Sequence, residues 1–274
     1  MKRLTYFFIL CLIVLNIGHS FCQLPTTSNG KFVEANGAKI YYEEYGQGDP
    51  LFLLHGFGGT TDDWKPFIQE YSKSYRVIVW DMRGHGRSSN PDTSVVFKHQ
   101  AAARDLLAMM EKLQISKTKA IGHSAGGIVI LYAASMSPDK FDAIIPVSAQ
   151  LYFGRQVRDF IEKTGKPRVP NPEFDRRHGK DKGTLLGRQF YNFRNVYGDP
   201  SLTPDQIGKI KARTLIVHGD NDFVPVSQAW EIFQGIPKSR LWVSPNTGHG
   251  PHYGPGNDSD FLRRTLDFLK GDKW

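Results

Sequence analysis

Apolar positions along this chain recur in two periods, and their alternation sets out a succession of strands and helices. Lys31–Asn36 and Ala38–Tyr45 read as the arms of a β-hairpin, because Asn36-Gly37 can take the positive φ values of a two-residue turn. Leu51–Leu54 and Arg76–Trp80 are short, almost wholly apolar runs, as expected of strands buried on both faces. A helix is expected from Thr61, with Asp62 and Asp63 suited to its first turn. Across residues 96–114, Ala102, Leu106, Met109, Met110 and Leu113 are spaced three or four apart, which predicts a helix. Thr118–Gly122 predicts a strand and Ile128–Ala134 a helix. Ala143–Val147 predicts another strand, with Pro146 expected to interrupt its ladder. The pattern resumes with a strand at Thr214–Val217, a helix around Gln228–Phe233, a strand at Leu241–Val243 and a last helix at Phe261–Lys270. Strands alternating with helices argue for an α/β fold with a mostly parallel sheet and helices on both faces.

Two segments depart from that pattern. Lys2 and Arg3 precede an apolar run from Tyr6 to Ile17, too short to span a bilayer, and Ser20-Phe21-Cys22 follows. This reads as a secretory leader over 1–22, cut after Cys22, and implies a secreted or periplasmic protein without stable membrane insertion. A lipoprotein anchor on Cys22 is the alternative. Cleavage would remove both cysteines and leave 274 − 22 = 252 residues without a thiol, excluding cysteine catalysis and disulfides. Residues 151–210 form the second exception. Apolar strand runs stop there, and 12 Lys or Arg stand against 7 Asp or Glu. The block is expected to be a lid inserted into a core formed by 23–150 and 211–274, with a solvated basic surface. Phe190, Phe193 and Tyr197 have helical spacing within it and could form an aromatic stripe.

Composition narrows the class. Hydrophobic residues at 40% and charged residues at 23% exclude a disordered, collagenous or multi-span membrane chain. The formal charge of +8 permits acidic partners, but no nucleic-acid recognition motif accompanies it, and no nucleic-acid partner is expected.

The candidate chemistry lies where strands end. Gly122-His123-Ser124-Ala125-Gly126 matches G-x-S-x-G between a predicted strand and a predicted helix. In that context a serine on a tight turn projects its hydroxyl above the sheet edge, and the flanking glycines avoid Cβ clashes. Other strands run into His55-Gly56-Phe57-Gly58-Gly59, into Asp81-Met82-Arg83-Gly84-His85-Gly86, into His218-Gly219-Asp220-Asn221-Asp222, and into Asn246-Thr247-Gly248-His249. With these five motifs in this order, the chain resembles the α/β-hydrolase fold superfamily from about Phe32 to Leu269. The resemblance implies a triad in the chain order Ser124, Asp222, His249, with oxyanion-hole amides from Phe57 and Ala125. Asp220 is the weaker alternative for the acid, with a loop-closing turn as its other reading. Asp81 and Arg83 resemble the family's structural turn and are given no catalytic role.

Histidine elimination agrees with His249 as the base. His19 leaves with the leader; His55, His85, His123 and His218 lie in tight strand-end motifs; His99 belongs to a helix and His178 to the insertion; His252 lacks the Gly-His position. Gly56–Gly59 lacks a phosphate-loop Gly-Lys-Ser/Thr ending, and His249-Gly-Pro-His252 is a poor metal pair. The expectation is therefore a monomeric serine hydrolase acting on a small ester-like molecule, with no cofactor and no metal. Amide, lactone and carbon–carbon bond hydrolysis use the same triad, and a non-catalytic binding member of the fold is the alternative from another class.

Overall fold

The computed structural model describes residues 30–164, 172–195, 199–254 and 256–271. The leader at 1–22 and Tyr197 lie outside them. The strands are β1 (Lys31–Ala35), β2 (Ala38–Tyr45), β3 (Pro50–Leu54), β4 (Arg76–Trp80), β5 (Thr118–His123), β6 (Phe141–Val147), β7 (Arg213–Gly219) and β8 (Ser239–Ser244). They form one sheet in the order β1-β2-β4-β3-β5-β6-β7-β8. The β1–β2 and β2–β4 pairs are antiparallel and the other five are parallel.

Asn36 and Gly37 turn the first hairpin with φ of 48° and 78°, a region open to glycine for lack of a Cβ and more accessible to Asn than to most residues. Pro146 does not end β6. It stands opposite Gly122 of β5, while the pairing with β7 skips from Ile144–Thr214 to Val147–Val217, so the proline lies where that ladder is already open.

The helices are α1 (Lys65–Ser72), α2 (His99–Lys112), α3 (Ala125–Met136), α4 (Arg155–Thr164), α5 (Pro172–His178), α6 (Lys180–Asn192), α7 (Pro204–Ile207), α8 (Val226–Gly235) and α9 (Asn257–Lys270). A short 3-10 turn at Thr61–Trp64 precedes α1, and the side chain of Thr60 caps it. Strand residues alternate between two cores. Leu51, Leu53, Val77 and Val79 face Phe67 and Tyr71 of α1 and Phe261 and Phe268 of α9. Phe52, Leu54, Ile78 and Trp80 face the side that carries α2, α3 and α8. Helix α3 is buried almost throughout, which explains why its sequence is apolar on every face. Among the described residues no helix is long and apolar enough to cross a membrane.

Chain order reverses between neighbours β3 and β5, since β4 lies beyond β3 and β6 beyond β5. Loops from the carboxyl ends of β3 and β5 must part there, leaving a crevice over the sheet edge. Helices α4 to α7 all occur between β6 and β7.

Candidate active site

Ser124 occupies that crevice. It links β5 to α3 with φ 52° and ψ −116°, a conformation unusual for a residue with a side chain. The close approach of its neighbours requires glycine on either side. A Cβ on Gly122 would lie 2.4 Å from the Gly126 carbonyl oxygen, and one on Gly126 would lie 2.5 Å from that of Leu54. The turn is thereby pressed against the end of β3, and the Ser124 hydroxyl points out of it.

Two further strand ends bring their side chains to this hydroxyl. His249, after β8, places Nε2 2.8 Å from Ser124 Oγ. Its Nδ1 lies 2.9 and 3.0 Å from the two carboxylate oxygens of Asp222, after β7. Asp222 also accepts the Val224 amide at 2.9 Å, and His218 stands 3.7 Å away. Burial works to raise the Asp222 pKa, but His249, the Val224 amide and His218 together hold it below its ordinary value. Asp222 is therefore ionised, and the carboxylate draws the imidazole proton to Nδ1, leaving Nε2 free to accept from the serine. Asp220 is exposed and accepts the Thr247 amide at 3.1 Å; it closes the loop without touching His249.

Phe57 and Ala125 both line the cavity beside Ser124, and no backbone acceptor among the described residues takes either amide. Asp81 accepts the Thr61 amide at 2.8 Å and the Arg87 Nε at 2.9 Å, and Arg83 donates to Asp105 at 2.6 Å. Both hold loops. The remaining histidines are mostly structural. His123 is neutral, with burial lowering its pKa to about 3, and its Nε2 donates to the His249 carbonyl at 2.7 Å. His55 accepts the Met82 amide at 3.0 Å, and His252 stacks on Trp64. Among the described residues no cluster of three or more His, Cys, Asp or Glu is arranged to hold a metal ion.

A cavity of about 180 Å³ opens above Ser124. One wall is Phe160 stacked at 4.0 Å on Phe223, which in turn covers the His249 ring at 4.3 Å. The other is Phe57, whose ring meets Phe193 at 5.0 Å and Phe190 at 6.0 Å. Phe190 and Phe193, which their spacing marked only as part of a stripe, also line the cavity. Sequence reasoning missed His99, Gln150, Phe153, Phe160 and Phe223, all of which also line it. A signal for His99 was present: it begins the stripe that continues through Ala102, Ala103 and Leu106, a polar residue on an apolar helix face.

Between β6 and β7, Arg155 and Arg176 are solvated as expected, but other basic groups are tied to the sheet-end loops. Arg177 pairs with Asp63 at 2.8 Å, and Lys182 donates to the Gly86 and Ser88 carbonyls. His178 accepts the Gly86 amide at 2.8 Å through Nδ1 and donates from Nε2 to the Gly58 carbonyl at 3.1 Å. These groups tie the helices between β6 and β7 to the loops after β3 and β4.

A family model described as alpha/beta hydrolase fold matches residues 49–165. The human protein named serine hydrolase BPHL is 28% identical, covering 87% of this chain and 85% of its own length. A Metapseudomonas resinovorans enzyme named 2-hydroxy-6-oxo-6-(2'-aminophenyl)hexa-2,4-dienoic acid hydrolase is 26% identical, over 87% of this chain and 90% of its own. Among solved structures, a serine hydrolase involved in carbazole degradation superposes with a TM-score of 0.72 at 25% identity, over 89% of this chain and 99% of that one. An enol-lactonase from Burkholderia xenovorans LB400 superposes with a TM-score of 0.70 at 21% identity, over 88% of this chain and 100% of that one, and shares the fold.

Proposed function

The chain belongs to the α/β-hydrolase fold superfamily and is an enzyme of the hydrolase class, and within that class we propose that it is a serine hydrolase cleaving a small, uncharged carboxylic ester. The observation that carries this reading is the continuous hydrogen-bonded series from Asp222 through His249 to Ser124 at the base of an aromatic cavity. Ser124 Oγ attacks the ester carbonyl carbon while His249 Nε2 takes its proton. The carbonyl oxygen becomes an oxyanion, stabilised by the amides of Phe57 and Ala125. Collapse of that intermediate breaks the bond to the alcohol oxygen, which leaves with the proton from His249. Water then gives a proton to His249 and attacks the acyl group. Ser124 leaves, recovering its proton, and the balance is ester plus water to acid plus alcohol. Asp222 fixes the His249 tautomer and stabilises the imidazolium that forms twice in the cycle.

Carbon–carbon bond hydrolysis is the second reading, favoured by the names of the relatives that act on hexa-2,4-dienoates. Such substrates bring an ionised carboxylate into the site, and a buried carboxylate needs a counter-charge. The described residues lining this cavity include no Lys or Arg, and this supports the uncharged ester. The test is labelling by a fluorophosphonate followed by turnover of neutral esters against a dienoate. Labelling at Ser124 that is lost in Ser124→Ala, with ester turnover exceeding that of the dienoate, is the expected outcome. Labelling with dienoate cleavage alone would favour the second reading, and an unlabelled protein would leave a binding member of the fold.

A further inference from the structure

The cavity is aromatic on both walls, yet it holds two polar groups that the reaction at Ser124 does not use. His99 opens α2 and is 1% exposed, its ring edge-on to Phe97 at 5.1 Å and leaning over Phe193 at 5.6 Å. Gln150, just past β6, is 3% exposed. His99 Nε2 and Gln150 Oε1 have no hydrogen-bond partner among the described residues. A buried polar atom left unpaired forfeits its hydration with nothing in return, so such atoms in a ligand cavity point to a polar group on the ligand.

The chemistry of that group follows from Asp199. Its carboxylate accepts the Tyr132 hydroxyl at 2.6 Å and the Gln100 amide at 3.2 Å. It lies 3.3 Å from His99 Nδ1, off the direction of a well-formed hydrogen bond but close enough to fix the imidazole proton on that nitrogen. Burial acts to raise the Asp199 pKa, but His99, Tyr132 and the Gln100 amide outweigh it, so the carboxylate stays ionised. In the neutral ring with its proton on Nδ1, Nε2 accepts, as does the Gln150 oxygen. Both residues line one cavity, and an acceptor on each, turned to a ligand there, asks for a donor.

Size and timing supply the rest. A volume of about 180 Å³ accommodates a six-membered ring, since a void of roughly 150 Å³ suffices for benzene. The alcohol departs after the first step, whereas the acyl group remains on Ser124 until water arrives, so the cavity above Ser124 is assigned to the acyl side. We propose that His99 and Gln150 read a hydroxyl group on a ring-bearing acyl portion, making the substrate an ester of a hydroxylated cyclic acid. This rests on the serine-hydrolase reading of Ser124.

The experiment compares methyl 3- and 4-hydroxybenzoate with the corresponding methylbenzoates, in which a methyl group replaces the hydroxyl at similar size. The wild-type enzyme should prefer one hydroxylated ester by at least about 10²-fold in kcat/KM, as a site that hydrogen-bonds a hydroxyl rejects the analogue lacking it. His99→Phe and Gln150→Leu should each reduce that ratio, and His99→Gln should restore part of it. Fluorophosphonate labelling of each variant checks that its site is assembled. Ratios of dissociation constants for the same esters, measured on Ser124→Ala, read recognition without turnover. A wild-type ratio near one in both measurements, or a ratio unmoved by His99→Phe and Gln150→Leu, would overturn the proposal. Labelling that fails while the binding ratio survives would instead overturn the hydrolase reading alone.

Discussion

The loops at the sheet edge and the helices between β6 and β7 meet at one cavity but are built in different ways. At the sheet edge each group is fixed by short polar contacts. Asp222 is set by the Val224 amide, His249 by Asp222 below and by His123 through its carbonyl, and Ser124 by a turn in which a Cβ on either glycine would strike backbone. Above it the cavity walls are mainly ring faces and edges, centroids 4 to 6 Å apart, with polar ties such as His178 to Gly86 and Gln189 to Ser94 away from Ser124. Proton transfer tolerates little displacement, so its groups need directional bonds. Selection among apolar substrates depends on shape, which packed rings supply with less specification. The difference predicts that substitutions below will remove activity, while substitutions above will redirect it.

The largest effect should come from Ser124→Ala. Deleting one oxygen from a turn that Gly122 and Gly126 already shape leaves the fold in place. Loss of a serine nucleophile costs on the order of 10⁶-fold in kcat. Purified variant showing wild-type melting and no turnover is the expected result; turnover within tenfold of wild type would break the comparison at its base. Asp222→Asn comes next, at about 10⁴-fold, because an amide favours the wrong His249 tautomer. Asp220→Asn should cost far less, since Asp220 only accepts the Thr247 amide at the loop surface. Reversal of those two effects would move the acid to Asp220.

How much of this was legible follows the same division. The triad positions could be read because each follows an apolar strand and sits among glycines, and both marks survive in sequence. The strands themselves were legible for the same reason, Pro146 included, although its harmless position opposite Gly122 depends on a ladder gap that only the pairing reveals. The cavity walls were legible only in part. Phe57 could be placed from the motif after β3, but Phe160 is on α4 and Phe223 follows β7, and nothing local marks residues that meet only after folding. His99 stood out only as a polar residue on an apolar helix face, since the partner that gives it meaning, Asp199, lies one hundred residues away. The basic segment was read correctly for exposed Arg155 and Arg176, but not for Arg177 and Lys182, which look solvated until Asp63 and Gly86 come beneath them.

An intermediate effect is expected in the upper wall. Phe193 is buried and touches Phe57, Phe153, Phe190 and His99. Phe193→Ala should cost about 3–5 kcal/mol of stability. Phe190 is only partly buried, so Phe190→Ala should change acyl-size preference by roughly 10- to 200-fold with a smaller melting shift. An ester series on both variants, with melting temperatures in parallel, separates glue from wall. Should both variants keep the wild-type preference, the insertion would be packing rather than selectivity.

The smallest effect on chemistry, and the sharpest separation of the two regions, should come from acid. His178 of α5 is neutral because burial lowers its pKa to about 4, more than its bond to the Gly58 carbonyl raises it. In that form Nδ1 accepts the Gly86 amide. His55, His85, Asp81 and Arg177 act on the same ring, and none of them offers Nδ1 a second acceptor. Protonation would set an N–H against the Gly86 N–H and break the tie between insertion and core. The sign follows from linkage: the unfolded histidine takes up a proton near its ordinary value of about 6.5, before the folded one does. The tie is therefore complete above that pH, weakens as pH falls, and is lost through about pH 4. His123, which holds the His249 carbonyl from the core side, is lowered to about 3 and should outlast it. Hydrogen exchange measured at steps from pH 7 to pH 3, corrected for intrinsic rates, should show α5 amides losing protection before those of β5. Simultaneous loss in both would mean that the insertion and the sheet edge unfold as one unit, and the polar tie through His178 would then carry no separate weight.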